Sequence, residues 1–202
     1  MGAMDAPGKR LMDFDMLGLA PKLIAALAEQ NITDPTPIQA QAIPHAMNGR
    51  DVMGLAQTGS GKTAAFGLPM IDTLMKDGGK APPKGAKALV LAPTRELAKQ
   101  IADNLAAYTN GSHLKVALVV GGAGIVGQMR RMEKGVHLLV ATPGRLIDLI
   151  DRRAVDLSGT KFLVLDEADQ MLDMGFIHAL RQIAPLLPDG RQTMMFLSLI
   201  HI

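Results

Sequence analysis

The sequence predicts an α/β fold built on a mostly parallel sheet with helices on both faces. Short apolar runs that read as strands alternate with longer stretches of helical periodicity, an order typical of parallel sheets with crossover helices. Some of these runs, such as residues 88–92 and 162–165, contain no polar residue, as expected of strands that are buried on both faces. A glycine-rich loop also lies directly between a strand-like run and a helical stretch.

The predicted elements follow one another in a regular order. Helices are predicted at residues 21–29 and around residues 39–47, before a first strand at residues 52–56 and a helix that starts after Thr63. Further strands, with helices between them, are predicted at residues 88–92, 116–120, 136–141, 162–165 and 193–196. Residues 76–85 are rich in glycine, proline and lysine and are predicted to form a mobile surface loop.

The glycine-rich loop has the pattern of a phosphate-binding loop. Residues 56–63 read Ala-Gln-Thr-Gly-Ser-Gly-Lys-Thr, with alanine where the first glycine usually stands. Glycine lets the backbone curl so that its N–H groups point at phosphate oxygens, and the following helix N-terminus adds its dipole. Lys62 is expected to reach the β- and γ-phosphates, and Thr63 to bind Mg²⁺. The expected nucleotide-binding residues are Thr58, Gly59, Ser60, Gly61, Lys62 and Thr63. The alternative is a glycine-rich turn that carries Gly-Lys-Thr by chance.

Two carboxylates follow the apolar run at residues 162–165 and are suited to binding the metal ion and the attacking water of a nucleotide site. Ligands of parallel sheets bind beyond the carboxyl ends of the strands, where Asp166 and Glu167 are predicted to lie. Asp166 is expected to hold Mg²⁺ through its water shell, and Glu167 to polarise the attacking water. Together with Lys62, they are the candidate catalytic residues. The alternative is a helix cap, in which Asp166 or Asp169 opens the next helix.

The motifs taken together resemble those of the DEAD-box family of RNA helicases. Residues 166–169 read Asp-Glu-Ala-Asp, and residues 34–39, Asp-Pro-Thr-Pro-Ile-Gln, are similar to the family's adenine-recognition motif. Residues 93–98, the pair Gly121-Gly122 and residues 142–145 are similar to further family motifs, in the family's order. The resemblance implies a RecA-like P-loop domain, the first of two in the family, that binds ATP and Mg²⁺. It covers roughly residues 14–196.

Gln39 and Phe14 are the candidates for recognition of the adenine base. A glutamine amide both donates and accepts, so it can pair with N6 and N7 of adenine and select ATP over GTP. An aromatic ring such as that of Phe14 stacks on any base. The alternatives are an ordinary helix residue for Gln39 and a core aromatic for Phe14.

A second group of candidates follows other strand-like runs, at the same predicted edge of the sheet. Arginine, hydroxyl and backbone N–H groups are the usual partners of backbone phosphates. The resemblance implies that this group grips one RNA strand by its sugar-phosphate backbone, without sequence preference. Helix-cap and turn roles are a second interpretation of the same residues. The candidates are Thr94, Arg95, Gly121, Gly122, Thr142, Gly144 and Arg145.

Composition and the ends of the chain limit the interpretation. The formal net charge of +2 excludes a broad polycation, so any RNA contact must come from a local patch. The sequence lacks cysteine and long apolar segments, so we expect a cytoplasmic protein that does not bind membranes. Residues 1–13 are expected to form an N-terminal extension and residues 14–202 one domain. Residues 197–202 depart from the family pattern, which fits natural divergence or a reading-frame artefact, and residues 1–4 are compatible with a cloning remnant.

The resemblance also implies a second RecA-like domain, which this sequence does not contain. In the family that domain supplies arginine fingers, so we expect this chain to bind nucleotide with little turnover. The expected parent protein is an RNA-stimulated ATPase that unwinds short RNA duplexes. The alternatives are an ATP-dependent RNA clamp or scaffold and a DNA translocase of the same superclass.

Overall fold

The computed structural model of the chain describes residues 13–57 and 59–198. Thr58 and most of the proposed N-terminal extension lie outside the described residues, as do residues 199–202. The strands are β1 (Val52–Leu55), β2 (Ala86–Leu91), β3 (Val116–Val119), β4 (Val136–Ala141), β5 (Phe162–Asp166) and β6 (Gln192–Leu197). The α-helices are α1 (Pro21–Ala28), α2 (Pro37–Met47), α3 (Lys62–Asp77), α4 (Arg95–Tyr108), α5 (Ile125–Met132), α6 (Pro143–Asp151), α7 (Ala168–Asp173) and α8 (Ile177–Ile183). Short 3-10 turns cover Phe14–Leu17 and Ala184–Leu186.

The strands form one sheet in the order β1-β6-β5-β2-β4-β3, and every pairing is parallel. Its centre is β2, whose residues are all buried between β5 and β4. This arrangement confirms the predicted α/β class. The observed strands begin or end within about one residue of the predicted bounds except β2, which begins two residues earlier. Helix α2 also begins two residues earlier, because Pro37 takes its first position after the N-cap residue Thr36.

Apolar layers cover both faces of the sheet. Alternate strand residues point to opposite faces, so Ala88 and Val90 of β2 join one layer while Leu89 and Leu91 join the other. The first layer packs α1 to α4 on the sheet, and the second packs α5 to α8. Sheet and helices thus form three layers, and the loops at the strand ends remain accessible.

The glycine-rich segment at residues 76–85 is more firmly attached than the predicted mobile loop. Its first two residues complete α3, and Ala81 and Gly85 are buried. The N–H of Lys84 donates to the carbonyl of Met132 at 3.0 Å. The local composition could not show this contact, because Met132 lies far along the chain. No helix within the described residues is long and apolar enough to cross a membrane.

Candidate functional site

The carboxyl ends of five strands lead directly into the candidate residues. The loop after β1 enters α3, and β5 ends on Asp166. The segments after β2, β3 and β4 contain the candidates proposed to bind RNA. A parallel sheet brings all these ends to one edge, so the topology places the two groups of candidates side by side.

The phosphate-binding loop has the backbone conformation that its glycines permit. Gly59 and Gly61 have φ of 81° and 89°, in the left-handed region that residues with side chains adopt only with strain. Gly61 is the N-cap of α3, so Lys62 and Thr63 form its first turn. The free N–H groups of this helix end and its dipole favour a phosphate there.

Lys62 occupies the centre of the cleft beside this loop. Its Nζ lies 3.6 Å from Asp166 Oδ1 and 3.7 Å from Glu167 Oε1, and the residue is only 6% exposed. Both distances are too long for a hydrogen bond. Among the described residues, the buried atoms Ser60 Oγ, Lys62 Nζ and Asp166 Oδ1 have no hydrogen-bond partner. Buried polar atoms without a hydrogen-bond partner indicate a ligand-binding site, because leaving them unsatisfied costs free energy.

The cleft has the chemistry of a phosphate and cation site. Its volume is about 330 Å³, and its walls include Gly59, Gly61, Lys62, Thr63, Asp166 and Glu167. No group of three or more His, Cys, Asp or Glu side chains arranged to hold a metal occurs among the described residues. The two carboxylates and the threonine hydroxyl would therefore leave most ligand positions of a magnesium ion to water and phosphate, as Mg²⁺ prefers.

Burial disfavours the ionised form of Asp166. It raises the pKa of the Asp166 carboxyl above its usual value, while the Lys62 ammonium opposes the rise and Glu167 adds to it. The residue is 1% exposed at the end of β5. A cation bound beside it would favour the ionised form.

Glu167 is held in a strained conformation. Its φ and ψ of 53° and 50° lie in the left-handed region, which costs a residue with a side chain free energy. It is the N-cap residue of α7, directly after the end of β5. Strain of this type persists where the surrounding structure fixes a functional group.

Gln39 contacts the phosphate-binding loop directly. Its Oε1 accepts from the Thr36 N–H at 3.0 Å and its Nε2 donates to the Gly61 carbonyl at 3.1 Å, so the buried amide joins the start of α2 to the loop. The Gln39 side chain therefore also caps the start of α2, a role that its sequence position did not predict. One N–H of the Gln39 amide and one lone pair of its oxygen remain available to form hydrogen bonds with a base. A Cβ atom at Gly61 would collide with this amide, a second reason for glycine there.

The structure does not bring Phe14 to the cleft. The residue is 1% exposed and belongs to the apolar layer that contains α1 to α4. In this conformation it is the core aromatic of the alternative interpretation, and stacking on a base would require it to move. Its ring precedes a helix and is apolar, so burial and stacking fit the sequence equally well.

The wall of the cleft on the α4 side was missed by sequence reasoning. It consists of Leu97, Gln100, Asn104 and Tyr108. Their spacing of three or four residues places them on one helix face, a signal that could have found them. Burial raises the pKa of the Tyr108 hydroxyl.

The candidates for RNA contact are partly joined by hydrogen bonds. Arg95 Nη1 donates to the Gly121 carbonyl at 3.5 Å, and Arg145 Nη1 donates to the Ala123 carbonyl at 2.8 Å. Gly122 has a φ of 77°, and a Cβ atom there would collide with the Arg95 guanidinium. The two arginines thus flank the turn after β3. The Nε atom of Arg145 also lies 3.3 Å from Asp148 Oδ2.

The remaining candidates in this group have capping positions. The Thr94 hydroxyl accepts from the Leu97 N–H at 3.2 Å and caps α4. Thr142 is the buried N-cap residue of α6, but its hydroxyl makes no cap bond. Gly144 lies in the first turn of α6 with open space beside it. The first turns of α4 and α6 are therefore accessible helix N-termini near the two arginines.

Gln128 and Asp169 form hydrogen bonds with the backbone at this edge of the sheet, a role that the sequence did not predict. The Gln128 amide donates to and accepts from the backbone of Val120, at 2.9 and 3.1 Å. Both carboxylate oxygens of Asp169 accept from the Ser198 N–H, at 3.1 and 3.2 Å. Asp169 therefore ties the end of β6 to α7, next to the cleft.

Comparison with known proteins gives three consistent matches. Residues 36–198 match the family model described as DEAD/DEAH box helicase. The DEAD-box ATP-dependent RNA helicase CshA of Streptococcus pneumoniae, from serotype 4 and from strain R6, is 43% identical over 185 residues, which are 92% of this chain and 34% of the relative. A DEAD box protein from the hyperthermophile Methanococcus jannaschii has a crystal structure that matches with a TM-score of 0.84 and 35% identity, over 92% of this chain and 50% of that one. The chain thus spans about a third of the length of the CshA relatives and half of the Methanococcus jannaschii chain.

Proposed function

This chain belongs to the DEAD/DEAH box helicase family, and on that premise we propose that it is the ATP-binding half of an ATP-dependent RNA helicase. One observation carries the proposal. The Lys62 ammonium is buried between the carboxylates of Asp166 and Glu167 and forms no hydrogen bond with a described residue. A nucleotide's phosphates would give that ammonium its missing partners.

Each residue of the cleft has a proposed role. Gly59, Ser60 and Gly61 offer backbone N–H groups to the phosphates, and Thr58, which lies outside the described residues, is proposed to do the same. Lys62 neutralises the β- and γ-phosphates, as in other phosphate-binding loops. Thr63 and Asp166 hold Mg²⁺, the latter through water, and the ion draws charge from the phosphates when bound. Glu167 orients and polarises the attacking water. Gln39 recognises adenine through its remaining donor and acceptor.

The RNA strand is proposed to lie along the neighbouring part of the edge. Thr94, Arg95, Gly121, Gly122, Thr142, Gly144 and Arg145 contact its sugar-phosphate backbone. The exposed helix N-termini of α4 and α6 support this role, because such ends bind phosphate. Contacts of this kind fix the strand without reading its bases.

The rest of the helicase is proposed to lie in the parent chain. The length ratio to the CshA relatives, 34%, leaves room for a second RecA-like domain. That domain would complete the ATP and RNA sites, so residues 14–202 alone should bind nucleotide and hydrolyse it poorly. RNA-stimulated hydrolysis would then drive duplex unwinding in the full protein. The lack of cysteine agrees with the cytoplasmic location we propose.

Nucleotide binding by the chain tests its proposed role as the ATP-binding half. Titration calorimetry with ADP should show saturable binding that weakens when Mg²⁺ is removed. Lys62→Ala should weaken binding about 10- to 100-fold, because it removes charge-assisted hydrogen bonds worth about 1.5–3 kcal/mol. Lys99→Ala is the matched control, since Lys99 is 67% exposed and pairs with Asp103 on the surface. An equal loss in both variants, or no binding by the unmodified chain, would refute the proposal.

A further inference from the structure

A groove lined by cations lies at the edge of the sheet opposite to the nucleotide cleft. It follows the amino-terminal ends of β3 and β4 and the segment that leads into β2, and it consists of two adjoining cavities of about 380 and 460 Å³. Both cavities are lined by Lys115, Lys134 and Gly135, so they form one surface, which we call the amino-edge groove. Its cationic lining residues are Lys80, Lys115, Arg130, Arg131 and Lys134, and His113 and His137 also line it.

The cations of this groove are not neutralised by salt bridges within the part of the chain that the structure describes. Among the described residues, no carboxylate forms a salt bridge with the three lysines or the two arginines that line it. Elsewhere Lys76, Lys87 and Lys161 each lie within 3.0 Å of a carboxylate oxygen. The exposed Glu133 lies beside Lys134 in sequence but is not part of the lining. Clustered unpaired cations of this kind attract anions to the groove.

A histidine pair forms part of the wall. His137 Nδ1 accepts from the Lys115 N–H at 3.0 Å, so its ring hydrogen is on Nε2. This buried Nε2 lies close to the backbone of Gly79 but forms no hydrogen bond of good geometry. The ring of His113 packs edge-on against that of His137, with centroids 5.4 Å apart. The hydrogen bond from Lys115 to His137 fixes the backbone that carries Lys115 at the wall of the groove.

We propose that the amino-edge groove binds the sugar-phosphate backbone of an RNA strand, at a second site remote from the cleft. The inference rests on the proposed RNA substrate. A continuous row of cations over two cavities suits a chain of phosphates better than a single anion. The lining has no large exposed apolar side chain, whereas protein interfaces are enriched in aromatic residues and methionine at their centres. Nucleic-acid interfaces are more polar and positively charged.

The salt dependence of RNA binding provides the test. The double variant Lys115→Ala/Lys134→Ala removes two lining cations, and Arg152→Ala/Arg181→Ala removes two exposed charges elsewhere as the matched control. Binding of a single-stranded homopolymer RNA is titrated at several salt concentrations. The groove variant should lower the slope of log affinity against log salt by about 1.4, since each phosphate contact contributes about 0.7. The control variant should leave the slope unchanged, and the affinity for ADP should be unaltered in both.

Two further measurements distinguish the possible failures. Arg145→Ala removes a proposed contact of the cleft edge, so a slope that falls for Arg145→Ala but not for the groove variant overturns the second site and leaves the proposed function intact. A slope that falls for the groove variant but not for Arg145→Ala supports the groove and argues against the proposed contacts at the cleft edge.

Polyglutamate should displace RNA from the unmodified chain only weakly. Displacement by polyglutamate as strong as by competing RNA of equal charge would assign the groove to an acidic protein partner and overturn the proposal.

Discussion

The Lys62 ammonium and the Asp166 carboxylate are buried 3.6 Å apart, so each compensates the charge of the other. Removing one member of a buried pair leaves an uncompensated charge, which typically costs about 3–5 kcal/mol. We expect Lys62→Met to lower the free energy of unfolding by about 3 kcal/mol. Adding Asp166→Asn should restore most of that loss. Urea denaturation of the two single variants and the double variant measures the coupling, and additive losses would contradict the pairing.

Glu167 and Arg153 share a left-handed backbone, with φ of 53° in both residues. Glycine relieves such strain, so Arg153→Gly should raise the free energy of unfolding by about 1 kcal/mol. In Glu167→Gly the loss of the contact with Lys62 opposes that gain, so its stability should rise less. Their functional effects should differ. In the parent protein Glu167→Gly should abolish ATP turnover, whereas Arg153→Gly, at the end of α6 and outside the cleft lining, should leave it unchanged. Loss of stability in Glu167→Gly alone would show that its carboxylate stabilises the fold.

Gln39 combines a structural contact with a proposed role in base selection. Gln39→Glu keeps the acceptor for the Thr36 N–H but loses the donor to Gly61 and to adenine. We expect it to abolish most of the preference for ADP over GDP, a discrimination of about 1–3 kcal/mol. Gln39→Ala loses the cap contact as well and should be the less stable of the two variants. A preference for ADP that survives in Gln39→Glu would exclude this amide from base recognition.

At the scale of the elements, Asp77 connects the end of α3 to β2 and to the segment before β5. Its Oδ2 lies 2.8 Å from Lys87 Nζ and 3.0 Å from Lys161 Nζ, and these contacts lower the pKa of Asp77 to about 2. A lowered folded pKa means that the stabilisation is complete above the ordinary value of 3.8 and is lost as the pH falls towards 2.

We therefore expect Asp77→Asn to be less stable than the unmodified chain at neutral pH. The difference should shrink between pH 4 and pH 2 and be small below that range. Because the carboxylate is partly exposed, added salt should also reduce it. Thermal denaturation over this pH range measures the effect. Asp103→Asn, which breaks the exposed pair with Lys99 on α4, is the control for a surface ion pair.

At the scale of the whole molecule, the sequence predicted the fold class and the edge at which the site lies, because both depend on local patterns. The motif around Lys62 and the acidic pair after β5 occupy strand ends, and parallel pairing brings strand ends together. The strand order could not be read from these patterns. It depends on contacts between distant segments, such as the pairing of β1 with β6. The roles of the site residues remain predictions.

The details missed by sequence reasoning are long-range contacts as well. Phe14 is buried in an apolar layer built from several helices, and the Gln39 bond to Gly61 joins residues 22 positions apart. The opposite edge of the sheet was missed for another reason. Lys80, Lys115 and Lys134 lie in separate segments of the sequence, and only the parallel register of three strands collects them into one groove.

The ATPase activity of the parent protein tests whether this chain is the ATP-binding half of an RNA helicase. The rate of phosphate release is measured with and without single-stranded RNA, for the unmodified protein and for Glu167→Gln. We predict strong stimulation by RNA in the unmodified protein, and turnover close to zero in Glu167→Gln with nearly unchanged ATP binding. Hydrolysis that does not respond to RNA, or normal turnover by Glu167→Gln, would contradict the account.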